Sequence, residues 1–202
     1  VWDYAIPAPP LLYTADVNAR RVDAVAVLGK TGFIYAFDRV SGKPIWPIEE
    51  RAVSPSDVPG ERAARTQPFP SLPKPFTKQG FGADDVIDFT PEIKRAALAE
   101  LGKWRTGSLF TPPSLQGTIG MPGLIGGAGW GGGGYDPETQ TLYVKGTNQV
   151  QVMRLMQPAQ SDTVRGDYFI DRSASVSVQL TDSNGQRLPS LPLNKPPYGN
   201  LT

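Results

Sequence analysis

The sequence predicts an all-β chain of roughly two propeller blades, interrupted by a long proline-rich insertion with a short helix. Three observations predict it. Gly32-Phe33-Ile34-Tyr35 runs into Ala36-Phe37-Asp38-Arg39-Val40-Ser41-Gly42-Lys43-Pro44-Ile45-Trp46, which reads as strand, tight turn and returning strand. Tyr135-Asp136-Pro137-Glu138-Thr139-Gln140-Thr141-Leu142-Tyr143-Val144 reads again as a turn and then a strand. Glycine (22) and proline (21) together make up about a fifth of the 202 residues, too much for a packed helical domain. Aromatic and β-branched residues persist among them, which favours loops on a β frame over disorder.

Taken in order, Leu11 to Tyr13 and Val22 to Leu28 read as short strands joined through Asp16, Asn18 and Arg20. In the second, Val22, Ala24, Ala26 and Leu28 share one face and Val25 and Val27 the other, the pattern of a strand buried on both sides. Gly29-Lys30-Thr31-Gly32 is a turn, and Phe33 to Phe37 the next strand. Asp38 opens the following turn by bonding its own backbone, and Gly42 takes the positive φ that other residues resist. Trp46, just beyond, is placed to pack between neighbouring sheets. Residues 1–50 thus read as most of one blade.

Residues 51–114 break this pattern. Their many prolines predict extended loops packed on a surface. Within them Thr90-Pro91-Glu92 starts a helix, with Thr as N-cap and Pro in the first turn. Ile93, Ala96, Ala97 and Leu101 form its apolar stripe, and Gly102 stops it. Residues 115–160 read as a further blade, with a strand near Leu115 to Gly120 and a glycine cluster at Gly126 to Gly134. Residues 161–202 read as a polar loop leading to another strand at the C-terminal edge. Both ends look cut through a repeat, so the expectation is an internal piece of a longer protein, with a self-contained two-blade unit as the alternative.

Composition excludes several chemistries. Lys+Arg number 20 against 19 Asp+Glu, and no basic stripe stands out, so nucleic acid is not an expected partner. With no Cys and no His there is no disulfide, no thiolate nucleophile, no Ser-His-Asp triad and no His-ligated zinc or haem. A metal here would need oxygen ligands, so Ca²⁺ or Mg²⁺ is the default.

Two glycine motifs invite nucleotide readings. Gly29-Lys30-Thr31 lacks the upstream Walker glycine, whose position is Ala24, and it joins two strands. Gly127-Ala128-Gly129-Trp130-Gly131-Gly132 matches a dinucleotide fingerprint letter for letter, yet Asp136-Pro137 and a strand follow where a helix is required. The cluster reads better as close backbone approach, either to a flat ligand or between blades. Asp3 lies between Trp2 and Tyr4, which would strip water from its carboxylate and make it a better base. Alone, however, Asp3 reads as a terminal turn residue and Lys30 as a solvated turn lysine.

Several segments together resemble the quinoprotein dehydrogenases that carry pyrroloquinoline quinone (PQQ), the membrane-bound glucose dehydrogenases above all. They are Val1-Trp2-Asp3-Tyr4, Gly29-Lys30-Thr31-Gly32-Phe33, Phe37 through Trp46, Thr66-Gln67-Pro68-Phe69-Pro70, Leu109-Phe110-Thr111-Pro112-Pro113-Ser114 and Trp130-Gly131-Gly132. The resemblance implies an eight-bladed propeller and PQQ-dependent oxidation of an aldose or simple alcohol. It implies Asp3 as catalytic base, with Lys30, 27 positions on (30 − 3), bonding the PQQ ring. It puts Trp130 and Gly131 near the cofactor, with Ca²⁺ or Mg²⁺ as Lewis acid held by residues outside this chain. Ubiquinone is the implied electron acceptor and the periplasm, with possible membrane anchoring upstream, the implied location. Gly129 stands where some quinoproteins have Asn, and Ala5 where an Asp is common. The competing readings are a non-catalytic propeller scaffold and an inactive fragment. A scaffold would not need Asp3, Lys30 or the Phe110-Thr111-Pro112-Pro113 segment, whereas an inactive fragment would lack the metal ligands and the residues that stack on PQQ.

Overall fold

Short antiparallel sheets form most of the architecture in the computed structural model, which describes residues 2–158, 166–171 and 176–202. Val1 of the Trp-Asp segment and part of the polar stretch after residue 160 lie outside the described residues.

The first sheet is β1 (Leu11–Val17), β2 (Arg20–Leu28) and β3 (Ile34–Asp38), in that order. Both early strands run longer than the apolar pattern indicates. Asn18 and Ala19 take positive φ (51° and 59°) and make a two-residue hairpin turn, so pairing continues to Val17↔Arg20. On β2, Ala24, Ala26 and Leu28 are fully buried, whereas Val25 and Val27 on the opposite face are half-buried. At the end of β3, Asp38 Oδ1 accepts hydrogen bonds from the Val40 and Ser41 amides, both at 2.9 Å, and Gly42 sits at φ 71°. The turn is as expected, but the strand after it is not. Lys43 to Trp46 pairs only through the Phe37↔Pro44 bridge, flanked by hydrogen bonds from the Asp38 amide to the Lys43 carbonyl and from the Ile45 amide to the Ala36 carbonyl. The next hydrogen-bonded position in this register falls on Pro47, which has no N–H to donate, so the ladder stops. Trp46 is correspondingly half-buried and belongs to no core cluster.

The insertion is more ordered than its prolines indicate. β4 (Ile48–Ala52) and β5 (Thr66–Pro70) form a two-stranded hairpin, with Pro68 and Pro70 opposite Glu50 and Ile48. A two-stranded ribbon has an open edge on each strand, where a missing N–H is tolerated. Helix α1 (Pro91–Leu101) begins at Thr90, whose Oγ1 accepts from the Ile93 amide. Its predicted stripe is the face it buries: Ala97 and Leu101 are in the core, with Ile93 and Ala96 packed against them. That core also contains Ile119 and Met121 with Val152, Val178 and Leu193.

Two further three-stranded sheets follow. β6 (Thr118–Gly120), β9 (Gln151–Met156) and β10 (Phe169–Asp171) form one, in the order β10-β9-β6. β7 (Gly133–Asp136), β8 (Thr141–Thr147) and β13 (Gly199–Leu201) form the other, in the order β13-β8-β7. β11 (Ser177–Val178) pairs β12 (Leu191–Pro192). The strands within residues 118–156 therefore divide between two sheets, and the C-terminal strand closes back onto β8.

β7 lies beside β1, where Tyr135 donates its hydroxyl to the Thr14 carbonyl at 2.5 Å and its ring meets Tyr13. The core between these sheets is Ala26, Leu28 and Ile34 against Ala128 and Val144, with Phe76 inserted. This packing carries the glycine cluster up to the turn that follows β2.

Candidate functional site

The segment before β1 is held on one side by aromatics. Trp2 and Tyr4 stand edge-on to Phe110, with ring centroids 5.5 and 5.9 Å away. Trp2 donates its indole N–H to the Thr111 carbonyl at 3.2 Å, and Tyr4 its hydroxyl to the Pro122 carbonyl at 2.8 Å. Burial pushes the Tyr4 phenol well above its ordinary range, so it stays a neutral donor. Asp3, between them, borders the same recess as Trp2, Tyr4 and Phe110, yet its side chain is 46% exposed. Its flanking aromatics do not strip water from it; they position it.

What Asp3 meets is Lys30. Lys30 Nζ lies 3.2 Å from Asp3 Oδ2, and the Lys30 side chain is only 16% exposed. The β2–β3 turn that carries Lys30 is tied on three sides. The Lys30 amide donates to Ala5, the Gly127 amide donates to the Lys30 carbonyl at 2.7 Å, and Gln79 donates its side-chain amide to the Thr31 carbonyl. Gly32 (φ 82°) and Gly126 (φ 85°) supply backbone that other residues adopt only under strain. A Cβ on Gly126 would lie 2.5 Å from the Lys30 Cβ. The glycine cluster thus makes close backbone approach, and at Gly126 its partner is the Lys30 turn.

Asp3 and Lys30 open into a cavity of about 460 Å³ walled by Ala128, Gly129 and Trp130 and by Gln151 of β9. Trp130 is 87% exposed, a flat apolar face at the cavity surface. The structure therefore brings Asp3, Lys30 and Trp130 together. Gly131 lines an adjoining recess of about 160 Å³ with Lys145 and Thr147, which meets the cavity at Gly129. Sequence reasoning missed Gln151, whose side-chain oxygen accepts from the Ile125 amide at 3.1 Å and braces the cavity rim. The apolar Val150, Val152, Met153 and Leu155 around it were its only sequence signal. Asp3 is the sole carboxylate on the cavity wall, and among the described residues no cluster of three or more metal-ligating side chains forms.

Comparison with known proteins gives a consistent result. A family model described as "PQQ: Glucose/ethanol/alcohol dehydrogenase, beta-propeller domain" matches residues 1–202. The quinate/shikimate dehydrogenase (quinone) of Acinetobacter baylyi is 26% identical over all of this chain and 26% of its own length. The quinoprotein glucose dehydrogenase of Escherichia coli is 34% identical over 69% of this chain and 18% of its own. The glycerol dehydrogenase large subunit of Gluconobacter oxydans is 35% identical over 70% of this chain and 20% of its own. The chain spans about a quarter or less of the length of these curated relatives.

Proposed function

The chain belongs to the PQQ glucose/ethanol/alcohol dehydrogenase β-propeller family, and from that premise we propose that it contributes the base and a cofactor-binding wall to a PQQ-dependent dehydrogenase. The observation that carries this reading is the Asp3–Lys30 pair, at 3.2 Å, on the wall of a 460 Å³ cavity beside Trp130.

The donor set suits PQQ, a flat polyanion. The volume lies within the range of roughly 300–1,000 Å³ typical of small-molecule sites. Lys30 offers a fixed cation, Trp130 an exposed ring, and Gly129 an open strip where a Cβ would meet no protein atom within 4 Å. Lys30 and Trp130 would hold the group. When bound, PQQ supplies the oxidant that takes up a hydride, two electrons and a proton, from the substrate carbon.

Asp3 would accept the remaining proton as the substrate C–H and O–H bonds break and the carbonyl forms. Its Oδ2 is engaged by Lys30, while Oδ1 has no hydrogen bond among the described residues and faces no competitor for that proton. Lys30, held by its backbone on both sides, keeps the carboxylate aimed and needs little reorganisation to do so. Among the described residues the cavity wall offers one carboxylate, so a Ca²⁺ or Mg²⁺ ion on this reading would take its oxygen ligands from residues outside this chain.

The substrate on this reading is an aldose or alcohol, the acceptor ubiquinone and the location the periplasm. No helix among the described residues is long and apolar enough to cross a membrane. The test is dye reduction by the intact protein, with PQQ and Ca²⁺ added and glucose, ethanol or quinate offered. PQQ-dependent reduction is expected. No reduction together with no PQQ binding would overturn the reading.

A further inference from the structure

Gln151 carries the only side-chain amide on the wall of the Asp3–Lys30 cavity, among the described residues. Its backbone is fixed at the start of β9, opposite Gly120 of β6. The loop that leaves β6 folds back over this strand, where the Gly123 amide donates to the Gln149 carbonyl at 3.0 Å. A Cβ on Gly123 would lie 2.7 Å from the Gln151 Cβ, so the loop runs directly against the glutamine side chain. The Ile125 amide then donates to Gln151 Oε1 at 3.1 Å. A backbone N–H can bond only the oxygen of a carboxamide, so this contact decides which way round the head group sits. Nε2 keeps both of its protons. It is open to solvent and has no acceptor among the described residues.

We propose that Gln151 is a cofactor-binding residue, which donates from Nε2 to an anionic oxygen of PQQ. The inference rests on the dehydrogenase reading above and adds a residue to its cofactor site. The charged groups on the cavity wall, Asp3 and Lys30, pair with each other and leave the wall close to neutral. A polyanion gains little net charge from such a pair, so an oriented neutral donor carries more of its recognition. The Ile125 bond already holds the Gln151 head group, and little side-chain freedom is lost when a ligand binds. The same loop continues through Gly126, packed on Lys30, to Gly127, whose amide bonds the Lys30 carbonyl. Gln151 and Lys30 are thus set against two ends of one loop, on the wall of one cavity.

The experiment titrates the intact protein with PQQ by fluorescence, with no substrate present. Gln151→Glu keeps the length of the side chain and an oxygen for the Ile125 amide, and turns only the donor into an acceptor. PQQ should bind about 10- to 100-fold more weakly, the range of one hydrogen bond to a charged group. The melting temperature of the PQQ-free protein should stay unchanged. A side chain that only braces the loop would survive this substitution, so equal PQQ affinity in Gln151→Glu would overturn the proposal. Gln151→Met has neither donor nor charge, and about tenfold weaker binding is expected from it. Unchanged affinity in Gln151→Met would reduce any effect of the glutamate to charge repulsion and overturn the proposal, even if Gln151→Glu does not fold. A protein that binds no PQQ before any substitution would overturn the dehydrogenase reading itself, whereas PQQ binding that ignores both variants would overturn this assignment alone.

Discussion

Gly126 and Lys30 lie in contact 96 residues apart in sequence (126 − 30), and a Cβ on the glycine would collide with the Lys30 side chain and its Cα. The close fit places the lysine ammonium against Asp3, because the neighbouring Gly127 amide also bonds the Lys30 carbonyl.

Gly126→Ala should therefore act twice. Its φ of 85° resists any side chain, and the new methyl group meets Lys30. A loss of about 1–3 kcal/mol is expected in chemical denaturation, with weaker PQQ binding by fluorescence titration. Gly129→Ala is the control, since a Cβ there meets nothing within 4 Å. Equal stability losses in both variants would count against the packing argument.

Asp3→Asn removes the proton acceptor but keeps the shape of the side chain. Turnover should fall by about 100-fold or more while PQQ stays bound. Lys30→Ala should weaken PQQ binding and slow turnover together. An Asp3→Asn protein that retains full activity would remove Asp3 from the mechanism.

Tyr4→Phe deletes the hydroxyl bonded to the Pro122 carbonyl at 2.8 Å. A cost of about 1 kcal/mol is expected from thermal unfolding. Because this bond helps to hold the segment that carries Asp3, kcat should fall while PQQ affinity is kept. A loss of PQQ affinity without any change in kcat would place the role of Tyr4 elsewhere.

Acid should destabilise the fold through three aspartates. Amide bonds from Ser41 and Val40 hold the Asp38 carboxyl below its ordinary range, Arg105 does so for Asp57, and the Thr139 hydroxyl and Glu138 amide do so for Asp136. A carboxyl with a lowered folded-state pKa contributes stability above its unfolded value, and that contribution is lost as pH falls through the folded value. The melting temperature should thus drop below about pH 4, where ordinary Asp side chains titrate. Asp57→Asn should flatten that drop. A profile unchanged in this variant would show that other groups govern the acid limb.

Local chemistry was legible in the sequence. The Asp38–Gly42 turn and the Thr90 cap are closed by residues within four positions of each other, so the pattern alone specifies them. The return strand after Gly42 was misread because Pro47 lacks the N–H that the next bond of the ladder needs. The β4–β5 hairpin was hidden by the opposite error, as its prolines sit in a ribbon with open edges. β9 went unread because Gln151 and Arg154 interrupt the apolar Val150, Val152, Met153 and Leu155, which blurs both strand and helix periods.

By itself the sequence determined the β-rich frame, the capped helix and the absence of thiol and imidazole chemistry, while the resemblance named Asp3 and Lys30 without bringing them into contact. Only the tertiary structure decided that Lys30 reaches Asp3, that Trp130 joins them, and that Gly131 lines an adjoining recess. The physical reason is range. Turns and caps are set by hydrogen bonds between near neighbours, whereas a cavity wall is set by which sheets pack together, and contacts between residues a hundred positions apart leave no periodic trace in the chain.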